Sequence, residues 1–134
     1  FGDGFCAGNS GAEVVFVHTG FDFAFAYDKG SIIMDSHPTA VICATDNIGL
    51  GILRYLHEQG IRVPEQVSLA GFGGYDVGAV SYPALTTVVF DYRLLGMKTA
   101  QGLLQLLHGE DMHSSCDMPM FLIERESVKP LCDE

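Results

Sequence analysis

The chain has 134 residues, of which 48% are hydrophobic and 18% are charged, and its formal net charge is −10. That apolar fraction suits one compact globular domain, or part of one, and excludes a disordered polar chain. The acidic balance argues against direct binding of nucleic acid or anionic membranes by this segment, because its field repels polyanions. The apolar runs are too short for a membrane-spanning helix, which needs about 18 residues.

The start of the chain and its cysteines indicate whether the chain is a fragment and which cellular compartment it occupies. The sequence begins at Phe1 without an initiator Met and without the charged and apolar regions of a signal peptide. We therefore expect a fragment of a longer, cytoplasmic protein. The four cysteines show no CxxC spacing, and Cys43 lies in an apolar run, where a free thiol acts as a small hydrophobe. This usage favours a reducing compartment.

The first half of the chain predicts a strand, a helix and a second strand. The β-branched and aromatic run 13–17 predicts a buried strand. Apolar residues in 22–34 approximate helical spacing, and a proline shortly afterwards ends this helix. The apolar run 39–44 predicts another buried strand, after which Thr45 or Asp46 supplies an N-cap for the next helix.

The second half continues this alternation. The helix predicted at 47–59 has the clearest ends in the chain, with a glycine directly after it. Gly73 and Gly74 must begin a loop, because two adjacent glycines cost too much conformational entropy inside an element. The remaining predicted elements are strands at 67–72 and 85–90, a helix at 94–107 and a last strand at 121–123.

Alternating strands and helices predict the α/β class, with right-handed crossovers and a parallel sheet that carries helices on both faces. In such sheets, ligands bind beyond the carboxyl ends of the strands. Four segments follow those ends, and we expect any binding site there: 18–22, 45–47, 72–76 and 90–93.

The sequence offers no convincing catalytic or metal motif. The loop at 71–74 has neither glycine order of the nucleotide-binding motifs, and no Ser lies in a GxSxG elbow. One stretch contains several metal-capable side chains, namely His108, Asp111, His113 and Cys116. Their spacing matches no zinc pattern and favours a solvated loop. We therefore expect no catalysis, no metal and no cofactor.

Aromatic and polar side chains are paired at the predicted strand ends. The pairs are Phe21 with Asp22, Thr45 with Asp46, Tyr75 with Asp76, and Asp91 with Tyr92 and Arg93. A sugar needs this mixture, because its C–H faces stack on rings while its hydroxyls need carboxylate or guanidinium partners. The alternative is that each Asp caps a helix and each ring packs in the core, and Asp46 could have both roles.

Several ordered motifs resemble the LacI/GalR family of bacterial transcriptional repressors. Residues 38–51, PTAVICATDNIGLG, resemble the family's PTA motif, which continues through an apolar strand to N/T-D-x-x-A/G-x-G. Residues 60–72, GIRVPEQVSLAGF, are similar to its G-x-x-VPEDVS-x-x-GF, and residues 83–88, PALTTV, to its P-x-LTTV. The helix opening at 91–96, DYRLLG, continues the likeness, which covers about residues 4–128.

The resemblance implies a sugar-sensing core shaped like a periplasmic binding protein, joined to an N-terminal helix-turn-helix DNA-binding domain that is absent from this sequence. It places residues 1–90 in the C-terminal subdomain of that core, with 118–134 as a return strand and tail. Residues 91–117 would cross to the N-terminal subdomain and form one of its helices. The apolar face of that helix would then be exposed in this segment, as a patch that invites association.

The resemblance also implies particular effector contacts. Phe21 matches a position whose ring stacks on sugar, Thr45 one that binds a sugar hydroxyl, and Tyr92 an aromatic position that lines the cleft. Asp46 matches an acidic position at the start of a helix, where capping and ligand contact are equally expected.

Two departures from the family pattern remove polar sugar contacts. Gly73-Gly74 stands where the family has Asp-Asp, and Phe1 stands where it has a ligand-binding Arg. Either Asp76 and Arg93 substitute for the lost groups, or the effector is smaller, less polar or different from a typical sugar.

Four apolar positions match the family's dimer interface, namely Leu50, Ile52, Leu53 and Tyr82, although burial within the subdomain would account for about half of them. The resemblance thus implies a homodimer. Its effector, a sugar or sugar phosphate, would bind the open and closed arrangements with different affinity and so reorient the DNA-binding heads. The alternative is an exported sugar-binding protein of a transport system.

Overall fold

A computed structural model of the chain describes residues 13–109 and 118–130. Strands and helices alternate through most of this part, which confirms the α/β class. In chain order the elements are α1 (Phe23–Asp28), α2 (Gly30–Asp35), β1 (Ala40–Ile42), α3 (Asp46–Glu58), β2 (Ser68–Phe72), α4 (Asp76–Ala79), β3 (Thr86–Phe90), α5 (Tyr92–Leu107) and β4 (Met120–Ile123).

The four strands form one sheet in the order β1-β2-β3-β4. The first three are parallel, with Val41 opposite Leu69 and Gly71 opposite Thr87. The fourth runs antiparallel to β3. The sheet is therefore mixed, and the prediction of a parallel sheet holds for β1, β2 and β3; an antiparallel edge strand is a common addition to such sheets.

The core lies between the sheet and the helices that precede β2. Helix α3 packs on β2 and, on another side, against α1. Its buried apolar residues recur at helical spacing, as a helix on a sheet requires. The core side chains are Ala26, Ile33, Cys43, Ile48, Ile52, Leu53, Leu56, Leu69 and Leu85.

The clearest prediction from the sequence, the helix at 47–59, is confirmed with a shift of one residue. Thr45 is its N-cap, with Oγ1 accepting a hydrogen bond from the Ile48 amide at 3.2 Å. At the other end, Gly60 adopts a φ of +69°, the left-handed conformation that ends many helices.

Residues after β4 form hydrogen bonds with the two central strands of the sheet. Ser127 is completely buried; its Oγ donates to the Leu69 carbonyl at 2.5 Å and accepts from the Thr86 amide at 2.8 Å. Arg125 donates from its guanidinium to the Leu85 carbonyl at 2.6 Å. These bonds connect the end of the chain to both β2 and β3.

Two predictions for the first part of the chain are wrong. Residues 13–17 form no strand, and within the described residues they pair with no strand. The predicted helix at 22–34 is divided into α1 and α2, because Lys29 both ends the first and precedes the second. The division lets Gly30 lie against the ring of Tyr55, where a side chain would collide.

The run 39–44 forms a shorter and more exposed strand than predicted. Strand β1 has three residues, and the side chain of Ile42 is 55% exposed. Within the described part of the chain, β1 has a neighbouring strand on one side only. An apolar run therefore predicted the strand correctly but overstated its burial.

Helix α5 shows the exposed apolar face that the sequence predicts. Gly102 is its one buried residue in the described structure. Its exposed apolar side chains include Met97, Leu103, Leu104 and Leu107. None of the described helices is both long and apolar enough to cross a membrane.

Candidate functional site

Three predicted loops meet at the carboxyl ends of the parallel strands. They are the turn from β1 into α3 at Thr45-Asp46, the loop after β2 at 73–75, and the turn from β3 into α5 at Asp91-Tyr92. Hydrogen bonds connect the last two loops to one another and the second to α3. This edge of the sheet is the one where open α/β folds bind ligands.

Asp46 holds the second loop in place. Its carboxylate is completely buried, and Oδ1 accepts from the Thr87 hydroxyl at 2.6 Å while Oδ2 accepts from the Tyr75 amide at 2.6 Å. In this structure the carboxylate has no exposed surface, and both its oxygens are occupied by hydrogen bonds within the chain. Asp46 is not the N-cap, since Thr45 caps the helix.

The loop itself depends on its two glycines. Gly73 has a φ of +126° and Gly74 a φ of +73°, values that side-chain-bearing residues rarely adopt. The Gly73 amide donates to the Val88 carbonyl at 2.8 Å, and the Gly74 amide donates to Oγ1 of Thr87 at 3.3 Å. The prediction that these glycines form a loop is confirmed.

Tyr92 links the turn into α5 to this loop. Its hydroxyl donates to the Gly73 carbonyl at 2.8 Å. Its ring centroid lies 4.4 Å from that of Phe90, which in turn lies 5.9 Å from that of Phe72. Partial burial, and secondarily the nearby Tyr75 hydroxyl, raise the pKa of Tyr92.

The other predicted effector residues make no hydrogen bond to the network formed by Asp46, Thr87, the loop at 73–75 and Tyr92. Thr45 is half-buried, whereas Phe21, Asp76 and Arg93 are exposed. Among the described residues, none of these three exposed side chains bonds to Asp46 or Tyr92. The structure thus brings Tyr92 and Asp46 to one loop and leaves Phe21, Asp76 and Arg93 open to solvent.

Sequence reasoning missed Thr87 as a member of this network. Threonine is common in strands, so its presence in this apolar run indicates no special role. Its partner Asp46 is 41 residues away. A polar residue at a buried strand position was the available signal, because such a group needs a partner. Tyr75, whose amide also bonds to Asp46, is likewise absent from the predicted effector contacts.

A second feature is a shallow groove on the outer side of α3. Its lining residues are Phe23, Asn47, Leu50, Leu53, Arg54, His57, Val77, Ser81 and Tyr82. Of the predicted interface residues, Tyr82 is 87% exposed and Leu50 is half-buried at the groove. Ile52 and Leu53 are buried in the chain's own core, which is the alternative that the sequence left open for about half of the four positions.

Next to the groove lies an exposed polar contact between α1 and α3. The Tyr27 hydroxyl and the Arg54 guanidinium both donate to the carboxylate of Glu58. These bonds hold the pKa of Glu58 below its usual value, with the tyrosine hydrogen bond as the largest cause. This contact joins the two helices at their outer edge.

The described residues contain no cluster of three or more side chains able to hold a metal ion. Of the stretch singled out in the sequence, Asp111, His113 and Cys116 lie outside the described residues. Cys43 is a buried free thiol, and burial raises its pKa to about 12. Its position in the core agrees with the predicted role as a small hydrophobe.

Comparison with known proteins places this geometry in a family. A family model described as a periplasmic binding protein-like domain matches residues 9–128. The lactose operon repressor of Escherichia coli K12 is 34% identical over 91 residues, a match that covers 68% of this chain and 25% of the repressor. The chain thus spans about a quarter of the length of that relative.

Solved structures agree with this assignment. A LacI family transcriptional regulator from Enterococcus faecium with bound ribose superposes with a TM-score of 0.75 at 29% identity, covering 85% of this chain and 43% of that one. The lac repressor dimer bound to operator and the anti-inducer ONPF gives 0.72 at 28% identity, covering 80% and 38%. The chain therefore belongs to the periplasmic binding protein-like family, and its relatives there are LacI-type transcriptional regulators.

Proposed function

We propose that this chain is the effector-sensing part of a LacI-type transcriptional repressor. The observation that carries the proposal is the edge at which Tyr92, on the turn into α5, bonds to the loop after β2. A small molecule that contacts both segments would stabilise one arrangement of them over another. Effector occupancy would then bias the orientation of DNA-binding domains elsewhere in the protein.

A sugar is the effector class that this edge supports. Exposed rings such as Phe21 offer stacking surfaces, and Thr45, Asp76 and Arg93 offer groups for hydroxyls. The Enterococcus faecium relative holds ribose. Asp76 and Arg93 lie at the beginnings of α4 and α5 and would supply the charged contacts, and Arg93 would be the partner of a sugar phosphate.

The chain would be divided between the two subdomains of the sensor. We assign residues 1–90 to the C-terminal subdomain, 91–117 to the crossover and a helix of the N-terminal subdomain, and 118–134 to the return strand and tail. The exposed apolar face of α5 supports this division, because such a face requires a packing partner. That partner would be the sheet of the N-terminal subdomain.

The groove beside α3 would lie in a homodimer interface. Leu50 and Tyr82 are the predicted interface residues that remain accessible, and the exposed apolar residues Val77 and Val80 extend the same region of the chain. The related lac repressor is a dimer. DNA contact would come from a helix-turn-helix domain outside this segment.

The relatives favour a repressor over the sugar-binding protein of a transport system, because they are transcriptional regulators. The protein would accordingly act in the cytoplasm, with no membrane partner, and would bind its effector without making or breaking a bond. No cofactor is needed for such a binding equilibrium.

A thermal-shift screen of the full-length gene product against monosaccharides, disaccharides and their phosphates tests this function. A ligand at one hundred times its Kd adds about 2.7 kcal/mol of stability, so a true effector produces a clear rise in melting temperature. Phe21→Ala should abolish that rise, whereas Phe25→Ala, which removes another exposed ring, should preserve it. A rise that survives Phe21→Ala would contradict the assigned stacking role, and the absence of any rise would contradict sugar sensing.

A further inference from the structure

The groove beside α3 has no acidic lining residue, although it belongs to a strongly acidic chain. Its apolar lining includes Phe23, Leu50 and Tyr82, and its basic side chains are Arg54 and His57. No carboxylate lines it in the described structure, whereas the whole chain has 17 acidic residues and a net charge of −10. Two copies of the chain can therefore approach at this groove without opposing carboxylates at the contact.

The same patch contains both a projection and a recess. The side chain of Tyr82 is 87% exposed, while Leu50 is half-buried at the groove that Tyr82 also lines. Two identical copies related by a twofold axis need a patch that is complementary to itself. The shape and the charge of this patch thus both favour a second copy of the chain as the occupant of the groove.

The two basic side chains of the groove differ in their partners. The Arg54 guanidinium donates to the carboxylate of Glu58, which also accepts from the Tyr27 hydroxyl and does not line the groove. The imidazole of His57 is exposed and has no hydrogen bond or ion pair within the described residues. Glu58 is adjacent to His57 in sequence, but its two carboxylate oxygens are already bonded. Tyr82 is the other titratable side chain that lines the groove.

The other elements that form the groove supply no compensating charge to His57. Helix α1 contributes Phe23, and α4 with the residues after it contributes uncharged side chains. The acidic residues of these two helices, Asp28 and Asp76, do not line the groove in the described structure. A proton on His57 would place an unpaired positive charge in a groove covered by a second copy. A twofold contact would bring in two such charges.

We propose that His57 makes the association of two copies depend on pH, so that the dimer forms through the groove while His57 is neutral and weakens when it is protonated. This inference rests on the homodimer of the proposed function and adds how that interface is regulated. Histidine changes its charge between pH 5 and 8 more readily than other side chains. Because burial of an unpaired charge is costly, the dimer binds fewer protons than the free copies, and acid therefore favours dissociation.

Sedimentation equilibrium of the full-length gene product at about pH 8 and about pH 5.8, at constant ionic strength, tests the inference. The dissociation constant of the dimer should rise at the lower pH by about sixfold to thirtyfold, the factors for excluding one or two histidine protons. Protonation of the other histidines lowers the net negative charge of this segment and so reduces repulsion between copies. The effect of overall charge therefore has the opposite sign.

Variants assign the pH response to one histidine. His57→Gln has a polar side chain that is uncharged at both pH values. It should match the wild-type dissociation constant at the higher pH and show no rise at the lower one. His108→Gln is the matched control, because it removes an exposed histidine at the end of α5 that does not line the groove. This control should retain the rise, and an equal rise in wild type and His57→Gln would overturn the inference.

Tyr82→Ala, measured at the higher pH, separates failure of this inference from failure of the proposed interface. A weaker dimer in Tyr82→Ala, together with equal pH responses of wild type and His57→Gln, would overturn the role of His57 and leave the interface intact. A dimer that Tyr82→Ala does not weaken, or a gene product that is monomeric at the higher pH, would overturn both.

Discussion

The two long helices of this chain have similar apolar content and opposite surroundings. Helix α3 has 13 residues, seven of which are buried against β2, α1 and their neighbours. Helix α5 has 16 residues, of which Gly102 alone is buried in the described structure. Both helices have clear caps at their N-termini, from Thr45 and Asp91 respectively.

The difference shows that an amphipathic sequence determines which face of a helix needs a partner without determining where the partner is. For α3 the partner is within the described chain, and burial stabilises the fold. For α5 the apolar face meets solvent in the described structure, so it adds little to stability there. Substitutions on the two helices should therefore have unequal effects.

The largest expected effect comes from truncating the core side of α3. Leu56 is completely buried, so Leu56→Ala should lower the free energy of unfolding by about 2–5 kcal/mol. The matched change Leu107→Ala on α5, at a side chain that is 72% exposed, should change it by less than about 0.5 kcal/mol. Urea denaturation of the segment measures both, and equal losses would contradict the comparison.

The next largest effect is expected at the hydrogen bond between α3 and β3. Thr87→Val leaves the Asp46 carboxylate without the hydroxyl donor that lies 2.6 Å away, and should cost about 1–3 kcal/mol. Thr87→Ser keeps the hydroxyl and should recover most of that stability. Equal losses in the two variants would contradict the hydrogen-bond explanation, because Thr87→Ser keeps the hydroxyl and Thr87→Val does not.

A smaller stability effect, but a visible change in association, is expected from the exposed face of α5. Replacing Leu103, Leu104 and Leu107 together with Gln should reduce self-association of the isolated segment, because it removes an apolar patch. Each change should alter stability by less than about 0.5 kcal/mol. Sedimentation velocity provides the readout, and unchanged association would exclude this face as its cause.

The smallest effect concerns the outer edge of α3. The pKa of Glu58 is lowered in the folded state. The contact with Tyr27 therefore stabilises the fold above the carboxyl's usual pKa of 4.5. This stabilisation is lost as the pH falls through the lower pKa of the folded state. Tyr27→Phe removes the largest cause of this shift. Melting temperatures between about pH 3 and 6 should fall less steeply in that variant than in the parent.

The elements that were predicted best are those with local signals at both ends. Helix α3 has a capping hydroxyl, a regular apolar stripe and a closing glycine, all within one stretch of sequence. The run 13–17 has the composition of a strand, yet a strand also needs a neighbouring strand, and that information is not local. The same limit explains why the exposure of Ile42 was missed.

The same distinction between local and non-local information applies to the candidate site. The glycine loop and Tyr92 were correctly placed at the strand ends from sequence order alone. The buried hydrogen bonds of Asp46 were not predicted, because capping, ligand contact and a buried hydrogen bond all suit an Asp at the start of a helix. Its two partners, Thr87 and the Tyr75 amide, lie 41 and 29 residues away and become visible only in three dimensions.

The buried thiol of Cys43 offers a chemical reporter for this core. Burial, and secondarily the charge of Asp46, raise its pKa to about 12, so the folded protein presents almost no reactive thiolate at neutral pH. Alkylation then requires an opening of the region between α3 and the sheet, and the reaction rate measures the population of that opened state. In full-length protein whose other cysteines are replaced, an effector that stabilises the closed state would slow this alkylation. Cys43 would thereby record occupancy of the neighbouring site by a ligand that carries no label.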